Sequence, residues 1–202
     1  MKVARAAIFL VVIGLGWKFP LLSYCMLLDV ALGIYGALKH GGRYGCGNYC
    51  PRGAFYSFMP DTGRKLPAAF LKGNLSLVFL PALLAVLILW QRPGSISGFG
   101  RTLYWLIAIT STVGIAGALV FNRGFWCAVC PMGKMLRRIR PAGTAIRVDP
   151  SCVQCGLCAK ACPFQFNPPA QAEGGDFRDR DCLRCGLCVR ACRKGALSIQ
   201  RQ

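Results

Sequence analysis

The stretch Cys152-x2-Cys155-x2-Cys158-x3-Cys162-Pro163 opens the last fifty residues, and Cys182-x2-Cys185-x2-Cys188-x3-Cys192 repeats it. Three thiolates two residues apart, on a tight turn, wrap three corners of a 4Fe-4S cube. The fourth cysteine, just past the turn, points the other way and completes a second cube. The spacing therefore groups Cys152, Cys155 and Cys158 with Cys192, and Cys182, Cys185 and Cys188 with Cys162. Gly156 and Gly186 follow the second cysteine of each run, where the backbone has to approach inorganic sulfide. A zinc knuckle is the competing reading, but it uses two separated Cys-x2-Cys pairs, not three thiols in series plus a fourth. A disulfide framework belongs to a secreted domain. Arg193 stands where the first run has Pro163, which leaves the ligand set intact.

Written twice, this is the signature of a bacterial two-cluster ferredoxin. It predicts an α+β ferredoxin-like domain over residues 141–202 with two 4Fe-4S clusters. The remaining residues, 1–140, are of another character. The whole 202-residue chain is 54% hydrophobic and only 16% charged, too apolar for an ordinary soluble domain. Its mean hydropathy is +0.44. It is also strongly basic, with 25 Lys and Arg against 7 Asp and Glu. The basic residues flank apolar stretches, which reads as membrane topology and not as a nucleic-acid surface. There is one histidine, His40, so a bis-His haem within this chain is excluded. Of 13 cysteines, all but Cys25 fall into ligand-like groups, which implies metallated thiols in a reducing compartment.

Four apolar segments are expected to cross a membrane: 3–19, 21–38, 75–90 and 103–121. Pro20 makes the first connection very tight, and Pro81 is expected to kink the third segment. The aromatic stretch Ala54 to Met59 is expected at the membrane interface, and Trp17, Trp90, Tyr104 and Trp105 read as an aromatic belt. Lysine and arginine concentrate before the first segment, between 39 and 74 (including Lys65 and Lys72) and between 122 and 147. By the positive-inside rule this places both termini and the ferredoxin domain on the cytoplasmic side of a bacterial inner membrane, in a multi-pass protein. The arginines 137, 138 and 140 are expected to anchor the linker to anionic lipid or to dock an acidic partner.

Two further cysteine pairs lie in Gly45-Cys46-Gly47-Asn48-Tyr49-Cys50-Pro51-Arg52-Gly53 and Phe125-Trp126-Cys127-Ala128-Val129-Cys130-Pro131-Met132-Gly133. Each follows an apolar segment and each ends Cys-Pro-x-Gly, so the pattern is an internal repeat. A membrane hairpin separates the pairs and brings them to the same side. Cys46, Cys50, Cys127 and Cys130 then make a four-thiolate set for a third 4Fe-4S cluster, with Arg43, Arg52, Arg123 and Lys134 to offset its charge. Pair spacing alone equally allows a structural zinc or two disulfides.

At these residues the chain resembles the NapH-type membrane ferredoxins, whose module is shared with NosR and the CcoG/RdxA proteins. The resemblance covers nearly the whole sequence, although there is no flavin-binding extension of the NosR kind and no further C-terminal domain of the CcoG kind. It implies transfer of electrons between the quinone pool and a redox partner protein, as a subunit of a membrane oxidoreductase complex, without nucleic acid. Asp29, an ionisable residue inside the second segment, is a candidate acceptor for a quinol proton, or else a partner of Lys18. His40 and Tyr44 are further candidates for a quinone site. Cys25 reads as a buried free thiol. Two other classes stay open: a thiol–disulfide relay built on the two Cys-Pro pairs, and an iron–sulfur redox sensor.

Overall fold

The computed structural model describes residues 2–201 except 61, 65, 68, 69, 71, 72, 74 and 140–143. Lys65, Lys72, Arg140 and the expected domain boundary at 140/141 lie outside the described residues.

The first helix, α1 (Lys2–Leu15), has 14 residues and is about 21 Å long at 1.5 Å per residue. It stops short of the expected residue 19 because the chain turns: the N–H groups of Lys18 and Phe19 both return to the Leu15 carbonyl, at 3.0 and 2.9 Å. Pro20 then starts a 3-10 turn, Pro20–Tyr24, where its missing N–H costs nothing. That turn runs directly into α2 (Cys25–His40). The short helices α3 (Tyr44–Asn48) and α4 (Pro51–Tyr56) follow. Next come α5 (Leu75–Gln91), which continues through Pro81, and α6 (Ile96–Val120). The Ser95 hydroxyl caps α6 by accepting from Gly98 N–H at 3.1 Å. The helices α7 (Phe125–Val129) and α8 (Pro131–Ile139) complete this part.

Among the described residues, two helical stretches are long and apolar enough to cross a membrane, Pro20–His40 and Ile96–Val120; Ser76–Gln91 is apolar but shorter. Their outward faces carry large apolar side chains such as Leu28, Phe79, Leu89 and Trp90, a continuous exposure that water does not favour. Trp17 meets Trp105 edge-on at 5.9 Å, beside Tyr104, whose hydroxyl donates to the Ile13 carbonyl. One expectation is corrected. Cys25 is exposed, not buried. Within the 54–59 stretch, α4 folds back against α1, leaving Tyr56 1% exposed with its hydroxyl donating to the Ser111 carbonyl at 3.2 Å, while Phe58 stays exposed.

The C-terminal part is α+β, as expected. Its order is β1 (Thr144–Val148), α9 (Leu157–Ala161), α10 (Pro168–Gln171), β2 (Asp176–Phe177), α11 (Leu187–Ala191) and β3 (Leu197–Arg201). The three strands form one antiparallel sheet in the order β2-β1-β3, with Ile146 opposite both Phe177 and Ile199. Beneath it, Ile146, Phe177 and Leu197 pack directly on Cys158, Cys182 and Cys188. So small a domain has little apolar core of its own, and the cysteine ligands occupy its centre.

Glycines bring the parts together. A Cβ on Gly45 would meet the Gly33 Cα at 2.7 Å, so α3 lies directly on α2. A Cβ on Gly47 would collide with the Leu183 carbonyl oxygen, and one on Gly124 with that of Pro163. The two Cys-Pro loops therefore press backbone-to-backbone on the two cysteine turns of the α+β domain.

Candidate iron–sulfur centres

Both ferredoxin runs use the same backbone device. Left-handed residues stand on either side of the second cysteine: Gln154 and Gly156 in the first run, at φ 52° and 74°, and Arg184 and Gly186 in the second, at 49° and 70°. The glycines are needed for that conformation. Helices α9 and α11 start at these glycines, and the fourth cysteine of each run, Cys162 or Cys192, is the extended residue that ends them. The strain at Arg184 is offset by its position: it is buried, and its guanidinium donates to the carbonyls of Thr144 at 2.7 Å and Gly41 at 2.8 Å.

Cys162, Cys182, Cys185 and Cys188 line one small space. Burial pushes the Cys182 and Cys188 thiols up to about 12, and the charges of Cys162 and Cys185 push both further the same way. Cys162 thus lies with the second run. In the first run, burial raises the Cys158 thiol, with Cys152 and Cys155 adding to it. Cys192 packs against the core that contains Cys158. Thiols raised in this way keep their protons until a metal displaces them.

The Cys-Pro pairs form a different device, also repeated. Cys46 and Cys127 are each the third residue of a five-residue helix, α3 and α7. Cys50 and Cys130 are extended residues, at φ/ψ of −60°/117° and −61°/121°, each followed by a proline that starts the next helix. The internal repeat read from the sequence is therefore a repeat of backbone form, despite one extra residue in the first loop. The four thiols converge. Burial raises Cys46, with Arg43 opposing and Cys130 adding to the rise. Burial also raises Cys50, with Cys46, Cys127 and Asp29 adding to it. Cys127 is pushed up to about 12 by burial, against Arg43, with Cys46 and Cys130 adding.

Arg43 ties this set to its surroundings. It is 1% exposed and stacks over the Phe164 ring at 5.2 Å. It donates to the Cys127 carbonyl and pairs with Asp181 at 3.3 Å. Asp181 also pairs with Arg137 at 2.9 Å, so Arg137 faces the ferredoxin and not lipid. Arg52 stacks over Trp126 at 3.9 Å, and Arg123 donates to the Ala161 carbonyl at 2.8 Å. The two cysteine sets share one apolar cluster: Cys46 and Cys127 from one, and Cys162 and Cys185 from the other, all pack against Ala128, Phe164 and Leu183. Among the described residues no three His, Cys, Asp or Glu side chains converge closely enough to hold a single metal ion. A cube differs from a single ion in giving each cysteine its own iron at a separate corner.

Asp29 lines an apolar cavity of about 290 Å³ whose wall includes Cys46, Cys50, Cys130 and Arg52. Lys18 makes no ion pair with it among the described residues. His40 and Tyr44 are elsewhere. Their rings stack at 4.1 Å, the His40 carbonyl accepts from the Thr144 hydroxyl, and Tyr44 borders an open basin beside Arg184 and Cys185. The structure brings His40 and Tyr44 to the ferredoxin contact and does not bring them to the Asp29 cavity.

Sequence reasoning missed Asp181 and Arg184, which hold the two halves together. A signal was present: Asp181 is one of only 7 acidic residues in a basic chain and immediately precedes a cysteine ligand.

Residues 151–197 match the model of the 4Fe-4S dicluster domain family. No curated protein and no solved structure matches the chain. The C-terminal region is therefore an iron–sulfur, ferredoxin-like domain, and a domain of that class transfers electrons.

Proposed function

We propose that this chain is a membrane-anchored electron-transfer subunit of the NapH type, passing single electrons between the quinone pool and a redox partner protein. Four apolar helices, α1, α2 with its leading turn, α5 and α6, anchor it in a bacterial inner membrane. The Lys and Arg distribution puts both termini and the ferredoxin domain on the cytoplasmic side. The observation that carries this reading is the packing of Cys46 and Cys127 against the same apolar cluster as Cys162 and Cys185. It joins a membrane-side thiolate set to the ferredoxin with no intervening domain.

The residues fit a third 4Fe-4S centre. Two loops bring four partly buried cysteines near one another, Gly53 N–H donates to Cys50 Sγ at 3.4 Å, and the Arg43 cation lies beside them to offset negative charge. Three such centres, held by the three cysteine sets, would supply one-electron redox chemistry. The protein's own part is position and charge. Arg43, Asp181 and Arg184 fix the ferredoxin on the Cys-Pro loops. A quinol oxidised to quinone releases two electrons and two protons, and Asp29 supplies a carboxylate at the cavity wall to receive a proton. The same groups serve the reverse reduction.

Iron and sulfide per chain on anaerobically purified protein test the third centre. The expected result is about twelve irons in the wild type and about eight in Cys46→Ser/Cys127→Ser. About eight in both would sink the third centre and leave the membrane thiols as zinc ligands or a dithiol relay.

A further inference from the structure

The 290 Å³ cavity has two kinds of titratable lining: the thiols of Cys46, Cys50 and Cys130, and Asp29 on α2. With the thiols given to a metal centre, Asp29 and Arg52 are the charged groups left to meet a ligand. A second cavity, of about 490 Å³, adjoins it, and both are walled by Leu80, Thr110, Trp126 and Pro131. The second cavity is almost wholly apolar, lined by Phe79, Leu83, Ile109 and Val113 between α5 and α6. Phe79 and Val113 are also exposed on the outer faces of these helices, where lipid chains would lie. The inner end of this second space is closed by Lys134, whose ammonium donates to the Gly73 carbonyl.

The polar groups of the first cavity are placed for a quinone ring. Arg52 lines it, and its Nε and Nη2 are buried without a hydrogen-bond partner. Buried donors of that kind cost free energy unless something accepts from them. A quinone carbonyl accepts, and the hydroxyl of the reduced form donates to a carboxylate such as Asp29. The Arg52 guanidinium is held rigid by its stack on Trp126.

We infer that the two cavities form one site for a quinone bearing an apolar chain. The ring lies between Asp29 and Arg52, and the chain lies between α5 and α6, leaving past Phe79 and Val113. This deepens the quinone reading above and rests on it. It also assigns α5, which holds no cysteine, a function: with α6 it makes the channel through which the substrate leaves the bilayer. Binding sites with these proportions, apolar walls and few polar groups, are the usual form of small-molecule pockets.

The test uses metal-loaded protein in lipid nanodiscs. Binding is read as quenching of tryptophan fluorescence, since Trp126 borders both cavities. The probes are a naphthoquinone with a polyprenyl chain and the same ring without one. Leu83→Phe/Val113→Phe fills the second cavity. It is expected to weaken the tailed compound by about ten-fold or more and to leave the tailless ring unchanged. Iron content checks that the variant is folded, and Ser76→Leu, which fills the same space from another position, is the second variant. Asp29→Asn is expected to weaken both probes alike. If filling the channel weakens both probes equally, or neither, the inference is overturned. It is likewise overturned if the wild type binds neither probe. Tail-selective binding with no reduction of the centres by the corresponding quinol would sink the proposed function and leave the site standing.

Discussion

The two ferredoxin turns and the two Cys-Pro loops each place cysteines by a repeated backbone device, but the devices work at different range. A ferredoxin turn is local. Left-handed residues at Gln154 and Gly156, or Arg184 and Gly186, bend the chain so that three thiols separated by two residues face one point. Each Cys-Pro loop supplies only two thiols, from a short helix and its proline-led successor. Its site exists only when Cys46 and Cys50 meet Cys127 and Cys130, a meeting set by helix packing at Gly33 and Gly45 and by Arg43. Spacing can therefore announce the first kind of site and only hint at the second.

The contrast can be broken most forcefully at Cys188. It lies in the ferredoxin core with Ile146 and Leu197, so metal binding and folding are one event there. Cys188→Ala is expected to cost both ferredoxin centres, with iron falling from about twelve to about four per chain. A loss of about four irons alone would show that the two turns fold independently. Next in size is Arg43→Met. It removes a buried cation from Asp181 and from the Cys127 carbonyl, and is expected to cost about 3 kcal/mol, read by chemical denaturation followed through the visible absorbance. If Arg43 acts through Asp181, combining Arg43→Met with Asp181→Asn costs less than the two separate losses added. Strict additivity would remove the clasp. The smallest effect compares the two turns. Gly156→Ala and Gly186→Ala each force a Cβ into the left-handed region, at about 1 kcal/mol. A Cβ at Gly186 also meets Ile199 Cδ1 at 3.4 Å, whereas one at Gly156 meets nothing within 4 Å. At 3.4 Å that is ordinary van der Waals contact, so Gly186→Ala is expected to cost no more than Gly156→Ala in the same denaturation measurement, and a clearly larger loss would contradict the packing described.

The ferredoxin domain was legible because its ligand pattern is short-range and its strands and helices follow from the turns. The apolar helices were legible as apolar stretches, but their ends were not: the turn back to the Leu15 carbonyl shortens α1, and Pro20 joins α2 by a 3-10 turn. Composition also left the packing of Tyr56 unread: its burial comes from α4 folding against α1. His40 and Tyr44 were grouped with Asp29 by nearness in sequence, and α2 separates them, since its length carries His40 to the ferredoxin contact. Asp181 and Arg184 act between segments more than a hundred residues apart, where no local pattern reaches.

The ferredoxin sits on the two Cys-Pro loops through Pro163, Leu183 and Cys185, which enclose the small space over Cys46 and Cys127. Those covering residues are synthesised after both loops. The direction of synthesis therefore sets an order of assembly. The thiols of the Cys-Pro loops stand uncovered, and open to oxidants, until the cysteine turns of the α+β domain close over them. A ferredoxin slow to fold would leave its neighbour exposed to damage, and one that closed too early would bar anything from reaching those thiols.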